Sequence, residues 1–404
     1  MDAIKNLLTR GVDKIYPSRE ELEKVLRAGR KLRLYQGFDP SGSQLHIGHA
    51  VAMRKLRQFQ ELGHHVIFLI GDFTGLIGDP TGKGSQRKRL TPEEVLANAK
   101  NYQEQASKIL QFDGENPVEI KFNSSWLSEL TFAQLIDLAS HFTVQQMIER
   151  DMFQDRIKRK DDIGLHEFFY PLMQGYDSVA MDVDLELGGT DQTFNMLAGR
   201  KLVSQILHKE KFVMTVPLLA DSKGVKIGKT EGNVIGLTDP PNDFFGKVMA
   251  LGDDAIVPCF TLLTDTPLEE IEKVKAKMKA GENPMVFKKQ LAFELTKQFN
   301  NDASASSAQA EFEHVHQQGQ TPTAADEFAT SQTEWNPVDL LITANLAPSK
   351  SEAKRLIEQG AVELNGQAVS HLPRKDSGQE SPAISLKNND ILRVGKKKFI
   401  KICI

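Results

Sequence analysis

The sequence predicts an α/β protein: a parallel β-sheet covered by helices, then an all-helical domain and a small α+β domain. The first observation is a short, wholly apolar run at 66–71 (VIFLIG), typical of a strand that is buried on both faces. The second is that such runs alternate with helical patterns over roughly the first 200 residues, as in parallel sheets. The third is a change to continuous helical patterning after Pro240.

The individual elements follow from periodicity and from turn residues. Gly63 closes a helical pattern that starts at His46, and Thr91 and Pro92 introduce another. We expect helices at 1–30, 46–62, 93–110 and from 131 onward, and strands at 31–38, 66–71 and 118–122. In open sheets of this kind ligands bind beyond the carboxyl ends of the strands, so the functional residues are expected in the loops there.

The 404 residues suffice for two or three domains of about 100–200 residues each. Composition and periodicity divide the chain into a sheet-containing domain at 1–239, a helical domain at 240–317 and an ordered tail at 337–404. Residues 318–336 are rich in Gln, Thr, Ala and Ser without apolar periodicity, which favours a linker.

The net charge of −4 excludes a chain that binds nucleic acid over its whole surface. Charge is unevenly spread, however: residues 337–404 hold 11 Lys or Arg against 7 Asp or Glu, a net +4, which leaves −8 for the rest. A basic tail on an acidic body fits an RNA contact and equally fits a solvated surface.

The two cysteines and the N-terminus bear on the compartment. Cys259 and Cys403 lie far apart in no metal-type spacing, so we expect reduced thiols, as in the cytosol. The segment 1–10 has no apolar core of a signal peptide, and no run approaches the ~18–20 apolar residues of a membrane span. These features predict a cytoplasmic protein without a membrane partner.

The most specific motif is His46-Ile-Gly48-His49, at the start of a predicted helix. A helix N-terminus attracts phosphate, two imidazoles three residues apart add donors on one face, and Gly48 leaves room for a flat base. The alternative is a helix start with incidental histidines. A zinc site is disfavoured because no third ligand of suitable type stands nearby.

Two basic segments are candidates for polyphosphate binding. Lys226 and Lys229, three apart in the run DSKGVKIGKTEGN, would clamp phosphates from a surface loop, although lysine-rich loops are usually only solvated. The segment 75–89 fails the P-loop pattern, because only three residues separate its glycines and Gly84 follows Lys83. It still places Lys83 and Arg87 in a basic flap.

Two further patterns indicate a small-molecule pocket. Gly188 to Gln192 (GGTDQ) allows close approach of a ligand to the backbone, and Asp191 is a candidate acceptor for ribose hydroxyls. Tyr170, Gln174 and Asp177 are spaced to share one helical face among apolar residues, which favours a buried pocket for hydroxyl or ammonium groups over a polar surface face.

The paired His-x-Gly-His and Lys-Ile-Gly-Lys-Thr motifs, about 180 residues apart around a predicted parallel sheet, resemble the signatures of class I aminoacyl-tRNA synthetases. The second departs from the common Lys-Met-Ser-Lys-Ser but keeps both lysines. The detail is similar to the bacterial tyrosyl-tRNA synthetases, on the runs YQGFDPSG-QLHIGH, TGLIGDPTGK, YPLMQGYD, GGTDQ and KIGKT. Glu186 stands where some members have Gln, and Gln36 where some have Cys.

This resemblance implies a Rossmann-like catalytic domain, an anticodon-side helical domain and an S4-like RNA-binding domain at 337–404. It implies that ATP, accompanied by Mg²⁺, activates L-tyrosine, which is then loaded onto tRNA(Tyr) by a homodimer without a resident metal site. The catalytic residues implied are His46, His49, Lys83, Arg87, Lys226 and Lys229.

The remaining implied roles are contacts to the two small substrates. Those to tyrosine would be Tyr35 and Asp177 at its phenol, Asp79, Tyr170, Gln174 and Asn123 around its ammonium group, and Asp39 and Gln192 near its carboxyl group. Those to ATP would be Ser41, Gly48, Asp191 and Lys229.

Three alternatives remain at this stage. A tryptophanyl-tRNA synthetase shares the architecture, but Tyr35 and the 170–177 pattern favour tyrosine. A nucleotidyltransferase that stops at adenylation would not need the C-terminal domains, and a non-enzymatic RNA-binding protein would not need the phosphate-binding motifs. The basic run 156–160 fits either a tRNA contact or a solvated helix end.

Overall fold

A computed structural model describes residues 2–79, 90–221, 224, 226–227, 229–230, 233–317, 326–369, 383–395 and 398–404. The chain forms two compact units, Met1–Ala305 and Ser306–Ile404. None of the helices in the described ranges combines the length and apolarity needed to cross a bilayer.

The strands of the first unit are β1 (Lys14–Tyr16), β2 (Arg33–Phe38), β3 (His65–Ile70), β4 (Glu119–Phe122), β5 (Leu185–Gly189), β6 (Phe212–Val216), β7 (Lys229–Thr230) and β8 (Asn233–Val234). Its helices up to the start of the helical segment are α1 (Ala3–Thr9), α2 (Arg19–Arg27), α3 (Ile47–Glu61), α4 (Thr74–Ile77), α5 (Pro92–Ala99), α6 (Tyr102–Ala106), α7 (Ser124–Leu127), α8 (Phe132–Ser140), α9 (Val144–Ile148), α10 (Asp151–Arg159), α11 (Tyr170–Ala180) and α12 (Thr193–Leu207).

Six of these strands form one sheet in the order β1-β6-β5-β2-β3-β4. All neighbours run parallel except β1, which pairs antiparallel with β6 at the edge. The predicted parallel sheet is therefore confirmed, and the strands expected at 31–38, 66–71 and 118–122 are β2, β3 and β4. The strand β3 is apolar on both faces, and its residues Val66–Ile70 are wholly buried, as expected of a parallel strand covered by helices.

Two helix predictions need correction. Residues 1–30 contain the edge strand β1 between α1 and α2, since Gly11, at φ +64°, follows the first helix and the Lys14 amide donates to Thr215 Oγ1 at 2.9 Å. The helix expected at 93–110 is two helices, α5 and α6, with Asn101 between them at non-helical φ and ψ. Asparagine favours helix ends over helix interiors because its amide competes for backbone groups.

Glycines let α11 and α12 pack closely over the sheet. A Cβ at Gly175 would stand 3.2 Å from the Gly199 nitrogen and 2.9 Å from Leu202 Cδ1, so a larger residue there would force the helices apart. This crossing fixes the position of α11, which carries Tyr170, Gln174 and Asp177.

The segment after Pro240 is helical, as expected, with α13 (Pro241–Met249), α14 (Ile256–Leu263), α15 (Leu268–Lys279), α16 (Pro284–Phe299) and α17 (Asp302–Phe312). The division between the two compact units falls within α17. Cys259 is buried in α14, and both cysteines are free thiols.

The second unit has helices α18 (Pro337–Thr343) and α19 (Lys350–Glu358) and strands β9 (Asp326–Ala329), β10 (Glu334–Trp335), β11 (Val362–Leu364), β12 (Gln367–Ala368), β13 (Ile384–Ser385), β14 (Ile391–Val394) and β15 (Lys398–Cys403). Five strands form a sheet in the order β12-β11-β14-β15-β9. Its core contains Leu340, Leu341, Ala353, Leu392 and Ile402, all fully buried.

The linker expected at 318–336 is corrected in its described part. β9 pairs parallel with β15, from Asp326 opposite Ile400 to Ala329 opposite Cys403, and β10 pairs with β13. Sequence periodicity missed these strands because an edge strand of four residues is held by backbone hydrogen bonds to a distant partner.

Lys55 is a lysine buried in the interior of the first unit. It lies on α3 with 5% of its surface exposed, and its Nζ donates to the Leu7 carbonyl and to Gln58 Oε1, both at 2.9 Å. Burial, with repulsion from Arg10 and Arg54, lowers the pKa of Lys55 to about 7.

The Lys55→Met variant should remove a pH dependence of stability. Between about pH 7 and pH 10.5 the unfolded chain holds a proton on Lys55 that the folded chain has released, so folding becomes more favourable as the pH rises. From pH 7 to 9 the wild type should gain up to about 1.4 kcal/mol per pH unit relative to Lys55→Met in urea unfolding. The exposed Lys24→Met is the control, and an equal gain in both variants would contradict the prediction.

Candidate active site

A cavity of about 290 Å³ opens beyond the carboxyl ends of β2 and β5. Strand order reverses between these two neighbours: the chain continues from β2 to β3 and β4 on one side, and β5 leads to β6 on the other. This is the switch point at which open parallel sheets bind ligands, because the following loops diverge there.

The deep end of the cavity holds a buried carboxylate. Asp177 is 2% exposed, and it accepts hydrogen bonds from Trp126 Nε1 at 2.8 Å and from Asn123 Nδ2 at 3.3 Å. Burial raises the pKa of Asp177 well above its ordinary value, while the two hydrogen bonds oppose that rise. Tyr35, fully buried in β2, lines the same cavity.

The middle of the cavity is held by a second carboxylate. Asp39 accepts from Thr74 Oγ1 and from the Tyr170 hydroxyl, each at 2.7 Å. Thr74 Oγ1 in turn accepts from Asn123 Nδ2 at 3.0 Å. Burial, followed by the Asp39 charge, raises the pKa of Tyr170 well above its ordinary value, so this phenol remains a hydrogen-bond donor. Asn123 thus joins Asp177 to Asp39.

Asp79 and Gln192 meet across the cavity. Gln192 Nε2 donates to Asp79 Oδ2 at 2.6 Å, and Gln192 Oε1 accepts from Asn195 Nδ2 at 2.9 Å. Asn195 is fully buried at the start of α12, so it fixes which end of the Gln192 amide faces Asp79.

The two histidines cap the helix that they precede and begin. His46 Nδ1 accepts from the Gly48 amide, and His49 Nδ1 accepts from the His46 amide, both at 3.1 Å. Because Nδ1 is an acceptor in each neutral ring, its proton must be on Nε2. Each imidazole therefore carries its proton on Nε2, and the two rings lie on the cavity wall with their centroids 3.9 Å apart and their planes tilted by 33°.

Lys226 closes the opposite wall. Its Nζ pairs with Asp191 Oδ2 at 2.9 Å, and the lysine side chain is about half exposed. The segment that follows returns to α3, since the Ile47 amide donates to the Ile235 carbonyl and the Leu237 amide to the Leu45 carbonyl, both at 3.0 Å. Lys226 and the histidine motif, about 180 residues apart in sequence, thus face one cavity.

The structure brings together most of the residues predicted from the sequence. Thirteen line the cavity: Tyr35, Asp39, His46, Gly48, His49, Asp79, Asn123, Tyr170, Gln174, Asp177, Asp191, Gln192 and Lys226. Ser41 is exposed and does not line it. Lys83 and Arg87 lie outside the described residues, and the described part of Lys229 is its backbone in β7.

Sequence reasoning missed residues that hold these groups in place. Thr74, Trp126 and Ser178 were given no role, although Thr74 and Ser178 lie within or beside the quoted runs. Lys211 gave no signal, since a lysine before a strand usually lies at the surface, yet it is fully buried.

The basic run 156–160 needs a correction. Arg156 is 1% exposed and pairs with Glu167, with an NH1–Oε2 distance of 2.6 Å. A buried, paired guanidinium is neither available to tRNA nor solvated, so neither interpretation of the run holds for Arg156. Among the described residues, no cluster of His, Cys, Asp or Glu has the arrangement of a metal site.

Known proteins match this chain along nearly its whole length. A family model for class I tRNA synthetases (W and Y) matches residues 27–317, and a model for the SYY-like C-terminal domain of tyrosine–tRNA ligases matches residues 317–402. The tyrosine–tRNA ligase of Thermotoga maritima is 45% identical, covering 98% of this chain and 96% of that protein. That of Haemophilus influenzae is 44% identical, covering 98% and 95%.

This chain belongs to the tyrosine–tRNA ligases. The family consists of class I aminoacyl-tRNA synthetases, so the chain is an enzyme that joins tyrosine to tRNA with ATP as a substrate. The resemblance stated from the motifs is therefore confirmed.

Solved structures agree on the fold. A C-terminally truncated mitochondrial tyrosyl-tRNA synthetase from Aspergillus nidulans has a TM-score of 0.65 at 21% identity, covering 78% of this chain and 94% of that one. A tyrosyl-tRNA synthetase from Archaeoglobus fulgidus, solved with L-tyrosine, has a TM-score of 0.60 at 20% identity, covering 76% and 99%.

Gly71→Ala should disable this tyrosine–tRNA ligase without unfolding it. A Cβ at Gly71 would stand 2.1 Å from Asp39 Oδ1 and 2.5 Å from Thr74 Oγ1, so the carboxylate at the middle of the cavity must move. A displacement of about 1 Å in such a site costs roughly 100-fold in rate, measurable as aminoacylation of tRNA. The control is Gly246→Ala in α13, where a Cβ meets nothing within 4 Å. Equal activity of the two variants would show that the Asp39 position does not matter.

Proposed function

We propose that this tyrosine–tRNA ligase forms tyrosyl-adenylate in the cavity between β2 and β5 and then transfers tyrosine to the 3′ end of tRNA(Tyr). In the first step the tyrosine carboxylate attacks the α-phosphorus of ATP, and pyrophosphate leaves. In the second a terminal ribose hydroxyl attacks the acyl carbon, and AMP leaves. The observation that carries this assignment is one cavity with a buried carboxylate and a tyrosine at its deep end and imidazoles and a lysine at its wall.

The deep end fits the side chain of tyrosine. Asp177 already accepts two hydrogen bonds and can accept another from the phenolic hydroxyl of tyrosine. Tyr35 lines the same part of the cavity. Phenylalanine would bury these polar groups without a partner. Tyrosyl-tRNA synthetases are already known to reject phenylalanine by roughly 10⁵-fold on this principle.

The groups around the middle of the cavity fit the ammonium and carboxyl groups of tyrosine. We assign the ammonium to Asp79, Tyr170 and Gln174, with Asn123 nearby, because carboxylate, hydroxyl and amide oxygens are its natural acceptors. Asp39 then lies at the junction with ATP, and Gln192 lies beside the reacting carboxyl group and α-phosphate.

ATP fits the wall formed by α3 and the basic loop. Gly48 leaves its face open, as a Cβ there would stand 3.0 Å from the His46 ring and 3.6 Å from the Ile227 carbonyl. The Nε2–H groups of His46 and His49 are suited to phosphate and ribose oxygens. We assign Asp191 to the ribose. Mg²⁺ enters as part of the substrate, on the phosphates of ATP.

In this proposal, binding of ATP gives Lys226 and Asp191 new partners. Their ion pair is partly exposed and therefore weak, so binding of ATP separates it at little cost. Asp191 then accepts from ribose hydroxyls while Lys226 turns to the polyphosphate. Lys83, Arg87, Lys229 and Ser41 complete the set of groups that receive the departing pyrophosphate.

Catalysis needs no protein nucleophile, because the carboxylate of tyrosine is already ionised. The enzyme contributes the alignment of carboxylate and α-phosphorus and the stabilisation of charge on the phosphates. Ligand placement in this cavity therefore accounts for the chemistry without covalent intermediates on the protein.

The other parts of the chain are assigned to tRNA. We propose that 337–404 is an S4-like RNA-binding domain, supported by its net charge of +4, and that the helical segment 240–317 lies on the anticodon side, after a catalytic domain at 1–239. A tRNA-charging enzyme of this bacterial type is expected in the cytoplasm.

A homodimer is supported by exposed apolar side chains in one stretch of the first unit. Phe132 is 78% exposed and Ile136 56% in α8, Val144 is 66% exposed in α9, and Leu165, between α10 and α11, is 75% exposed. Large apolar side chains clustered on a surface mark an interaction site, and a second copy is the occupant that we propose.

Phe132→Asp should therefore weaken self-association. A carboxylate buried in the interface without a partner costs about 2 kcal/mol or more, or roughly thirtyfold in the dissociation constant. Light scattering over a dilution series measures this constant. The matched control is Val286→Asp in α16, which is also exposed but lies outside this stretch. A monomeric wild type, or a Phe132→Asp dimer as tight as the control, would contradict the assignment.

The activation step is tested by amino-acid-dependent ATP–pyrophosphate exchange without tRNA. Exchange with tyrosine alone is expected. Exchange with tryptophan would move the assignment to the related enzyme, and no exchange with any amino acid would refute the adenylation mechanism.

In this assay, single substitutions distinguish residues that act in adenylate formation from residues that select tyrosine. His46→Ala, Lys226→Ala and Lys229→Ala should mainly slow adenylate formation, by about 10²–10³-fold for a group that stabilises developing charge. Asp177→Ala should mainly raise the KM for tyrosine and reduce its discrimination from phenylalanine. An unchanged activation rate in Lys229→Ala would show that the loop assignment is wrong.

A further inference from the structure

A buried ion pair lies directly beneath the deep end of the cavity. Lys211, just before β6, is fully buried, and its ammonium group pairs with Glu186, which is 1% exposed in β5. Glu186 lines the cavity, opposite Tyr35 in the β2–β5 register, whereas Lys211 does not line it. The ion pair therefore reaches the cavity through Glu186, while Lys211 is not part of the cavity lining.

Stability alone does not account for such a pair. Desolvating two charges costs about as much as their attraction returns, and apolar residues of similar size often serve as well or better. Burial lowers the pKa of Lys211, and the Glu186 charge opposes that effect. We therefore expect the role of the ion pair to be its effect on the side chains that it contacts.

The first of those groups is Gln174. Its Nε2 donates to Glu186 Oε1 at 3.0 Å. An ionised carboxylate only accepts, so Glu186 compels Gln174 to turn its NH₂ toward it and its carbonyl oxygen the other way. That orientation presents an acceptor to the ammonium group of tyrosine. A flipped amide would present a donor instead and would repel it.

The second group is Tyr35, reached through Ser178. Lys211 Nζ donates to Ser178 Oγ at 2.6 Å and to the Met196 carbonyl at 3.4 Å, as well as to Glu186. Ser178 Oγ is 2.9 Å from the Tyr35 hydroxyl and 3.3 Å from Glu186 Oε2. With one side of Ser178 occupied by Lys211, the serine hydroxyl is held between the Tyr35 hydroxyl and Glu186, and the Tyr35 hydroxyl also donates to the Gln174 carbonyl at 3.4 Å.

Gly199 leaves the space that the ammonium group of Lys211 occupies. A Cβ at Gly199 would stand 2.6 Å from Lys211 Nζ, 2.9 Å from Ser178 Oγ and 3.2 Å from Glu186 Oε2. These are side-chain ends that can move, so alanine at this position displaces the network while the helix backbone tolerates it. The site is therefore a compact recess under α12 that fits one ammonium group.

We propose that Lys211 is a positioning residue for tyrosine specificity: through Glu186 and Ser178 it orients Gln174 toward the substrate ammonium and Tyr35 toward the substrate phenol. This inference rests on the proposed assignment of the cavity to tyrosine. It concerns tyrosine and not ATP, since the histidines, Asp191 and Lys226 make no contact with the ion pair in the hydrogen bonds and salt bridges described above.

The test compares Lys211→Met and Gly199→Ala with the wild type in ATP–pyrophosphate exchange. Both variants should raise the KM for tyrosine at least about tenfold, as loss of a hydrogen bond involving a charged group does, and should leave the KM for ATP within about twofold. Discrimination between tyrosine and phenylalanine should fall. Active-site titration corrects each value for the folded fraction.

Lys55→Met is the matched control, because it removes another buried lysine of the same unit that does not line the cavity. Both of its KM values should equal those of the wild type. If Lys211→Met does not fold, Gly199→Ala, which keeps every polar group, decides the matter.

Two outcomes would overturn the inference: folded variants with the wild-type KM and discrimination for tyrosine, or equal changes in both KM values, which indicate a merely structural role. Failure of the proposed function is distinct, because the wild type itself would then show no tyrosine-dependent exchange.

Discussion

Burial of two carboxylates, Asp177 on α11 and Glu186 in β5, is the constraint from which the site follows. Asp177 and Glu186 are each at most 2% exposed, and a charge taken out of water must be met by donors or by an opposite charge. Asp177 is met by Trp126 and Asn123, and Glu186 by Lys211 and Gln174. Every side chain thereby held in place faces or supports the same cavity.

This polar network requires close and rigid packing above it. Gly175 and Gly199 allow α11 and α12 to approach, and the same approach encloses the Lys211 ammonium group. Asn123 donates to both Asp177 and Thr74, and Thr74 donates to Asp39. One chain of hydrogen bonds therefore runs from the deep end of the cavity to its middle. In the proposed assignment, the groups that select the amino acid and those that place its carboxyl group are thus parts of one hydrogen-bonded unit.

The wall that we assign to ATP is built differently. His46 and His49 are fixed by the helix that they cap, whereas Lys226 is held by a single, half-exposed ion pair to Asp191. A rigid imidazole wall with a movable lysine suits a reaction whose phosphate charge changes position as pyrophosphate leaves.

Much of the fold could be predicted because it depends on local patterns. The apolar run of β3 and the capped start of α3 are visible in a few residues of sequence, and so is the shared face of Tyr170, Gln174 and Asp177. The edge strands β1 and β9 were not predictable in this way, since three or four residues become a strand only through a distant partner. Arg156 was misread and Lys211 was missed for the same reason: a basic residue is expected at the surface unless the fold supplies a buried carboxylate.

The sequence by itself determined the parallel sheet, the two signature motifs and the family, because each depends on residue type and short-range spacing. Only the tertiary structure decided which partners the charges meet: that Lys226 pairs with Asp191, that Arg156 is buried against Glu167, and that Lys211 lies beneath Tyr35 and Glu186. Those pairs join residues 11 to 35 positions apart, as in Arg156 with Glu167 and Lys226 with Asp191. Contacts of this kind are set by how strands and helices pack, which no local periodicity encodes.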